Sequence, residues 1–312
     1  MSQFVHQPVL LRETVTELVT AKDGVYVDCT LGGGGHTEAL LAACPAATVI
    51  GIDQDREALA ASRQRLAPFG DRAVFVWDNF SNLEKILADR GVEEADGFLF
   101  DLGISSPQLD HGERGFSYQH DAPLDMRMNR DGGGVSARDL VNHMSEAELA
   151  EILYRNAEER WAKRVAAFIV EARAKAPIET TGELVSVIKA AIPKGARREG
   201  HHPAKKTFQA LRIAVNDELN IIAPALTIAA EHLRPGGKLA VISFHSLEDR
   251  VVKETMRYLA ADCVCPPEQI VCTCDKRALV KIKPRKPIVA GEAELAANPR
   301  ARSAKLRVAV RI

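Results

Sequence analysis

No run of this 312-residue chain approaches the about 18 consecutive apolar residues that would cross a bilayer, so no membrane partner is expected. The opening MSQFVHQPVLLRETV lacks the basic-then-apolar pattern of a secretory leader, and a cytoplasmic protein is expected. Internal repeats and low-complexity tracts are absent too, which leaves an ordinary globular chain with 46% hydrophobic and 27% charged residues. Net charge is nearly missing. With 41 basic and 42 acidic residues the balance is −1, which on its own argues against a nucleic-acid partner. Six cysteines in a cytoplasmic setting do not suggest disulfides. The length leaves room for a large core and for two domains.

The first hundred residues alternate short apolar runs (25–28, 48–53, 73–77, 97–101) with helical patterns (37–44, 56–66, 82–90). Such alternation predicts an α/β protein with a parallel, doubly wound sheet, whose ligands bind beyond the carboxyl ends of the strands. The strand pattern then stops. Ser145-x-x-Glu148 and Thr180-x-x-Glu183 read as capping boxes opening amphipathic helices. The expected organisation is a sheet domain over 1–106, an inserted helical domain over 107–206 that recognises substrate, and completion of the sheet over 207–312. A long helical pattern spans about 207–233, interrupted by Pro224. RPGGKLAVISFHS reads as a turn into a buried strand, and 303–312 as a strand with one buried face.

Four glycines, Gly32 to Gly35, stand between the first strand and a helix, where each costs roughly 0.5–1 kcal/mol in regular structure. A dinucleotide loop would need a third spaced glycine where Thr37 stands. Asp28 before the loop would repel a pyrophosphate but suits a ligand carrying an ammonium or sulfonium charge. The spacing resembles the first motif of S-adenosylmethionine-dependent methyltransferases of the Rossmann-like fold, with Thr30 where many members carry another glycine. Asp53 ends the second strand, where an acid can take both ribose hydroxyls. Asp78, Asn79 and Phe80 follow the third, where an adenine would lie.

Asp101-Leu102-Gly103-Ile104-Ser105-Ser106-Pro107-Gln108 ends the fourth strand. Amino-group methyltransferases place a short polar-Pro motif there. An exocyclic amine is a poor nucleophile because its lone pair is delocalised, and acceptors such as Asp101, Ser105 and Ser106 can orient its N–H bonds. Positioning and electrostatics then supply most of the acceleration.

Taken together, LGGGGHTEALL, FDLGISSPQLD, ERGFSY with PLDMRM, KTFQALRIAVNDEL, ISFHSLEDR and NPRARSAKLR resemble the MraW (RsmH) family of small-subunit ribosomal RNA cytidine-N4 methyltransferases. The resemblance runs from about His6 to the C-terminus. It implies a Rossmann-like methyltransferase sheet with an inserted helical domain. It also implies an S-adenosylmethionine site made by Gly34, Gly35, His36, Asp53, Phe80, Asp101 and Gln108, to which the charge argument adds Asp28. The implied product is N4-methylcytidine at the P site of the decoding centre, made on the assembled small subunit in the bacterial cytoplasm. A homodimer is implied as well.

Basic residues cluster despite the neutral total. Lys194, Arg197, Arg198, Lys205 and Lys206 crowd one segment and are the first candidates for RNA contact. Lys276, Arg277, Lys281, Lys283, Arg285 and Lys286 form a second cluster, and Arg300, Arg302, Lys305, Arg307 and Arg311 a third. Three such clusters suggest a basic face. Arg127 has two readings, a contact to the target nucleotide's phosphate or a structural ion pair. His245 has two as well, acceptor of the amine proton or partner of Glu248 or Asp249. Cys263, Cys265, Cys272 and Cys274 form C-x-C-x6-C-x-C, which four thiolates on zinc or a peripheral loop would explain. Methyl transfer needs no metal, and none is expected at the reacting centre. The function expected is methyl transfer to RNA; the alternative is a non-catalytic protein that senses S-adenosylmethionine while holding RNA or assisting ribosome assembly.

Overall fold

In the computed structural model, residues 8–105, 108, 112–197, 202–269 and 271–312 are described. The chain divides into two compact units, one from the described residues up to Gly103 together with Leu219–Ile312, the other Ile104–Glu218.

In the first unit the apolar runs become β1 (Val25–Asp28), β2 (Thr48–Asp53), β3 (Ala73–Trp77) and β4 (Ala95–Asp101). Between them lie α1 (Leu11–Leu18), ahead of β1, then α2 (Gly35–Ala43), α3 (Arg56–Leu66) and α4 (Leu83–Asp89). The sheet resumes after the second unit with β5 (Leu233–Ser243), β6 (Val280–Ile282) and β7 (Lys305–Arg311). Its seven strands run in the order β3-β2-β1-β4-β5-β7-β6. The first five are parallel, and β7 lies antiparallel between β5 and β6.

Alternating residues of each strand feed two cores. Phe98 and Phe100 of β4 and Leu239 and Val241 of β5 pack on one face, with α4 and the helices that follow Leu219. Leu99, Ala240 and Ile242 pack on the other, with α1, α2 and α3. A strand covered on both faces reads as a continuous apolar run, which is why these strands are recognisable without an alternating pattern. For β7 the expectation of one buried face is incomplete. Leu306 and Val308 enter one core while Ala309 enters the other, because the strand sits inside the sheet.

The second unit is helical: α5 (Ala137–His143), α6 (Glu146–Ala157), α7 (Ala162–Arg173), α8 (Thr181–Ala191) and α9 (Lys205–Asn216). Both expected capping boxes form, at Ser145 with Glu148 and at Thr180 with Glu183. Helix α9 belongs to this unit, so the boundary expected at 206/207 moves to Glu218. Phe208, Ala210 and Leu211 are buried with Leu149, Leu153 and Val165 in its core. The helical pattern expected over 207–233 is two helices, α9 and α10 (Ile222–Glu231). The break comes at Asp217, with φ 50°, and Pro224 falls harmlessly in the first turn of α10.

Asn216 ends α9 and pins the PLDMRM segment. Its Oδ1 accepts the Met128 N–H at 2.8 Å, and its Nδ2 donates to the Met126 carbonyl at 2.8 Å. Buried Arg114 donates to the carbonyls of Arg127 and Met128 at 3.1 and 3.0 Å. Asn216→Ala leaves two backbone groups without these partners, and a loss of about 2 kcal/mol is expected. Denaturant unfolding checks this; a change below about 0.5 kcal/mol contradicts the assignment.

Candidate active site

β1 and β4 are neighbours, but the strands that follow them extend to opposite flanks of the sheet, β2 and β3 on one side and β5 on the other. A crevice opens beyond carboxyl ends arranged in this way. β1 delivers Asp28 to this edge, β2 Asp53 and β4 Asp101, and the end of β5 leads into Phe244 and His245.

The glycine loop follows β1. Gly34 has φ +76° at the start of α2, and a Cβ there would come within 3.2 Å of Leu66 and Ser62. At Gly35 a Cβ would approach Pro8 Cγ to 2.3 Å. Glycine is therefore required at both positions by backbone conformation or close packing. The loop is tied to two acids. Gly32 N–H donates to Asp53 Oδ2 at 2.7 Å, and Asp55 N–H to Asp53 Oδ1 at 2.8 Å. Thr37 Oγ1 donates to Asp28 Oδ2 at 2.7 Å, and Thr30 N–H to Asp28 Oδ1 at 3.2 Å. Thr30, the departure from the glycine pattern, also accepts the Asp101 N–H on Oγ1 at 2.6 Å. Its hydroxyl joins the ends of β1 and β4, a task glycine could not perform.

His36, buried in α2, places Nε2 3.1 Å from the Val9 carbonyl. A carbonyl only accepts, so Nε2 carries the proton, and Nδ1 faces Asp101 Oδ2 at 3.6 Å. Phe80 meets Phe100 edge-on, with ring centroids 5.6 Å apart, beyond β3.

Among the described residues none of Asp28, Asp53 and Asp101 pairs with a lysine or arginine. Burial pushes Asp28 up to about 6 despite the bonds from Thr37 and Thr30. Burial likewise pushes Asp53 up to about 6 against the bonds from Asp55 and Gly32. Asp101 is driven well above the usual carboxylate range, first by burial and then by the charges of Asp28 and Glu248. Its Oδ1 is buried and accepts no hydrogen bond among the described residues. An excess of negative charge and a buried acceptor without a donor call for a ligand bringing cationic or N–H groups.

His245 caps α11 (Ser246–Leu259), its Nδ1 accepting the Glu248 N–H at 3.3 Å. In the neutral ring the proton then sits on Nε2, 3.0 Å from Glu248 Oε1 but not aligned for a hydrogen bond. Buried Glu248 accepts the N–H groups of Phe244 at 2.8 Å and His245 at 3.2 Å through Oε2. This geometry favours the reading in which His245 shapes the end of β5. Glu248 is the partner expected in one of the two readings of His245, while the role of Thr37 is one the sequence does not announce. Thr37 stands in the motif only as the residue that replaces a third spaced glycine, with no role read for its hydroxyl.

The remaining expected residues lie in the helical unit. Ser105 N–H donates to Gln108 Oε1 at 3.0 Å, and Ser105 Oγ is buried without a partner among the described residues. Ser106 and Arg198 lie outside the described residues. Arg127 forms a bidentate pair with Asp125, Nε to Oδ1 at 2.9 Å and Nη2 to Oδ2 at 2.8 Å, the structural one of its two readings. Arg197 caps α8 through the carbonyls of Lys189 and Ile192, and Lys206 donates to the Glu158 carbonyl beyond α6 at 2.7 Å. Lys194 and Lys205 are exposed. The third basic cluster is partly committed within the sheet unit, since Lys305 and Arg307 pair with Asp249 at 3.0 and 2.7 Å.

Residues 3–312 match the model of the MraW methylase family. A protein of Symbiobacterium thermophilum named ribosomal RNA small subunit methyltransferase H is 54% identical over 310 residues, covering 99% of this chain and 97% of that one. One of the same name from Geobacter sp. (strain M21) is 55% identical over the whole of both chains. The solved structure of an rRNA methylase from Streptococcus thermophilus aligns over 99% of each chain at 11% identity and a TM-score of 0.41, too distant to speak for individual residues.

Proposed function

The chain belongs to the MraW methylase family, and on that premise we propose that it transfers a methyl group from S-adenosylmethionine to the exocyclic N4 of a cytidine in the decoding centre of 16S ribosomal RNA. Relatives at 54–55% identity over nearly full length carry the small-subunit rRNA methyltransferase name. The observation that carries the chemistry is Asp101: a carboxyl at the switch point of the sheet, with Oδ1 buried and unbonded among the described residues.

The site suits S-adenosylmethionine on its own geometry. Asp53, held by two backbone N–H groups, keeps lone pairs for a ribose diol. The unpaired acids suit a ligand with an ammonium and a sulfonium charge, which supplies, when bound, an electrophilic methyl group. Gly34 and Gly35 let the backbone pass close to neighbouring groups, and Phe80 offers a ring beside the adenine position.

For the acceptor, Asp101 Oδ1 takes an N–H of the exocyclic amine and turns the nitrogen lone pair toward the methyl. As the N–C bond forms, the S–C bond to the methyl breaks with its electron pair going to sulfur, S-adenosylhomocysteine leaves as a neutral thioether, and the amine gives up one proton to the Asp101 carboxylate. A raised pKa suits that acceptance near neutral pH. A cytidine stacked in folded RNA must first be drawn out, at a cost of a few kcal/mol. The helical unit, with Lys194 and Lys205 exposed, is the part proposed to grip the RNA by its phosphates. No described helix is long and apolar enough to cross a membrane, and the proposed action on ribosomal subunits suits a cytoplasmic protein.

The pH dependence of donor binding follows from the acids. A cation binds the ionised carboxyls, so affinity for S-adenosylmethionine falls as pH drops through about 6, where Asp28 and Asp53 protonate. The expected loss is about tenfold per pH unit for each group that must ionise. Stability of the donor-free protein runs the other way. Raised carboxyls bind protons in the folded state first, so their contribution becomes less favourable as pH rises from about 4 to about 6. Calorimetry from pH 5 to 8 checks the first statement; affinity flat across that range contradicts it. The assignment of substrate is tested by methyl uptake from labelled donor, with assembled small subunits expected to be methylated faster than free 16S RNA.

A further inference from the structure

The loop between α11 and β6 holds Cys263, Cys265, Cys272 and Cys274, and their Sγ atoms all lie within 4.8 Å of one another. Cys263 and Cys272 are 3.5 Å apart, Cys272 and Cys274 3.5 Å, Cys263 and Cys274 3.8 Å, and Cys265 and Cys272 3.9 Å. Four thiolates bound tetrahedrally at about 2.3 Å from one ion are about 3.8 Å from each other. The four separations straddle that value. None approaches the about 2.05 Å of a disulfide, and all four cysteines are free.

The surrounding backbone is arranged for thiolates. Val264 N–H points to Cys274 Sγ and Cys265 N–H to Cys263 Sγ, each at 3.4 Å. Lys276 and Arg277 follow the last cysteine and offset the net negative charge of four thiolates on a divalent ion. The loop also has little else to hold it. Among the described residues from Cys263 to Cys274 the apolar side chains Val264 and Val271 are 48% and 71% exposed and give the cysteine segment no core of its own. Loops too small to bury a core are commonly stapled by a metal.

We propose that Cys263, Cys265, Cys272 and Cys274 form a structural zinc site that fixes the loop between α11 and β6. Soft thiolates in a tetrahedron select zinc over hard cations such as magnesium or calcium. The four protein ligands fill the coordination shell and leave no open position for water or substrate, so the ion does not take part in methyl transfer. Binding converts each thiol to a thiolate and releases its proton to solvent.

The test uses the full chain purified under reducing conditions without chelator. Elemental analysis should find about one zinc per chain, and Cys272→Ser should bring this near zero while S-adenosylmethionine binding persists. Wild-type protein stripped of metal and titrated with Co²⁺ should develop the visible bands of tetrahedral thiolate cobalt, lost on adding Zn²⁺; this arm needs no variant to fold. Protein with less than about a tenth of an equivalent of zinc and no such bands overturns the proposal. So does a coloured preparation containing iron on the same cysteines, since the same donor set would then serve another metal.

Discussion

Asp101→Asn is expected to lower methyl transfer by about 10²–10⁴-fold, the usual contribution of a positioned proton acceptor. The substitution keeps the shape of the side chain. It removes the negative charge, and an amide has no pKa suited to taking the amine proton. Where the carboxylate offers acceptor lone pairs on both oxygens, asparagine can present N–H groups to an N–H, a repulsive arrangement. Affinity for S-adenosylmethionine, measured by calorimetry, should change less than the rate at saturating donor. If donor affinity collapses while the rate at saturating donor survives, Asp101 holds the donor instead, and proton acceptance moves to another group.

Asp53→Ala should weaken donor binding by about 10²–10⁴-fold, from the loss of two hydrogen bonds to a charged acceptor at about 1.5–3 kcal/mol each. The effect reaches past the ribose. Gly32 and Asp55 both donate to this carboxylate, so the glycine loop and the start of α3 lose their common anchor. The rate at saturating donor should fall much less than affinity, because Asp53 stands at the end of β2 and away from the reacting amine. Titration calorimetry with S-adenosylmethionine and S-adenosylhomocysteine checks both parts. Affinity within threefold of the wild type would remove Asp53 from the site.

Much of the sheet was legible because fully buried parallel strands are short apolar runs, as in Val25–Asp28 and Thr48–Asp53, each ending in an acid that breaks the run. The capping boxes at Ser145 and Thr180 marked their helices because the signal is local. β6 was not legible: three residues, Val280–Ile282, inside a basic stretch gain strand character only from β7 beside them. The end of the helical unit was missed for a similar reason, since α9 is amphipathic enough to serve either unit, and only the burial of Phe208 and Leu211 decides.

At the site, residues that terminate strands could be read from position, whereas the groups that hold them could not. Thr37 meets Asp28 only once the glycine loop has folded back on the end of β1, and nothing in a threonine signals this, whereas the pairing of Glu248 with His245 three residues earlier is local and was among the expected readings. Arg127 shows the opposite case. Its motif invited a phosphate reading, yet Asp125 two residues earlier satisfies the guanidinium in full fork geometry.

The most direct measurement incubates the protein and labelled S-adenosylmethionine with small subunits from cells lacking this modification, digests the RNA to nucleosides and identifies the labelled one by mass spectrometry. Label in N4-methylcytidine, lost with Asp101→Asn, is the predicted result. Label in any other nucleoside, or none while donor binding is intact, would contradict the account.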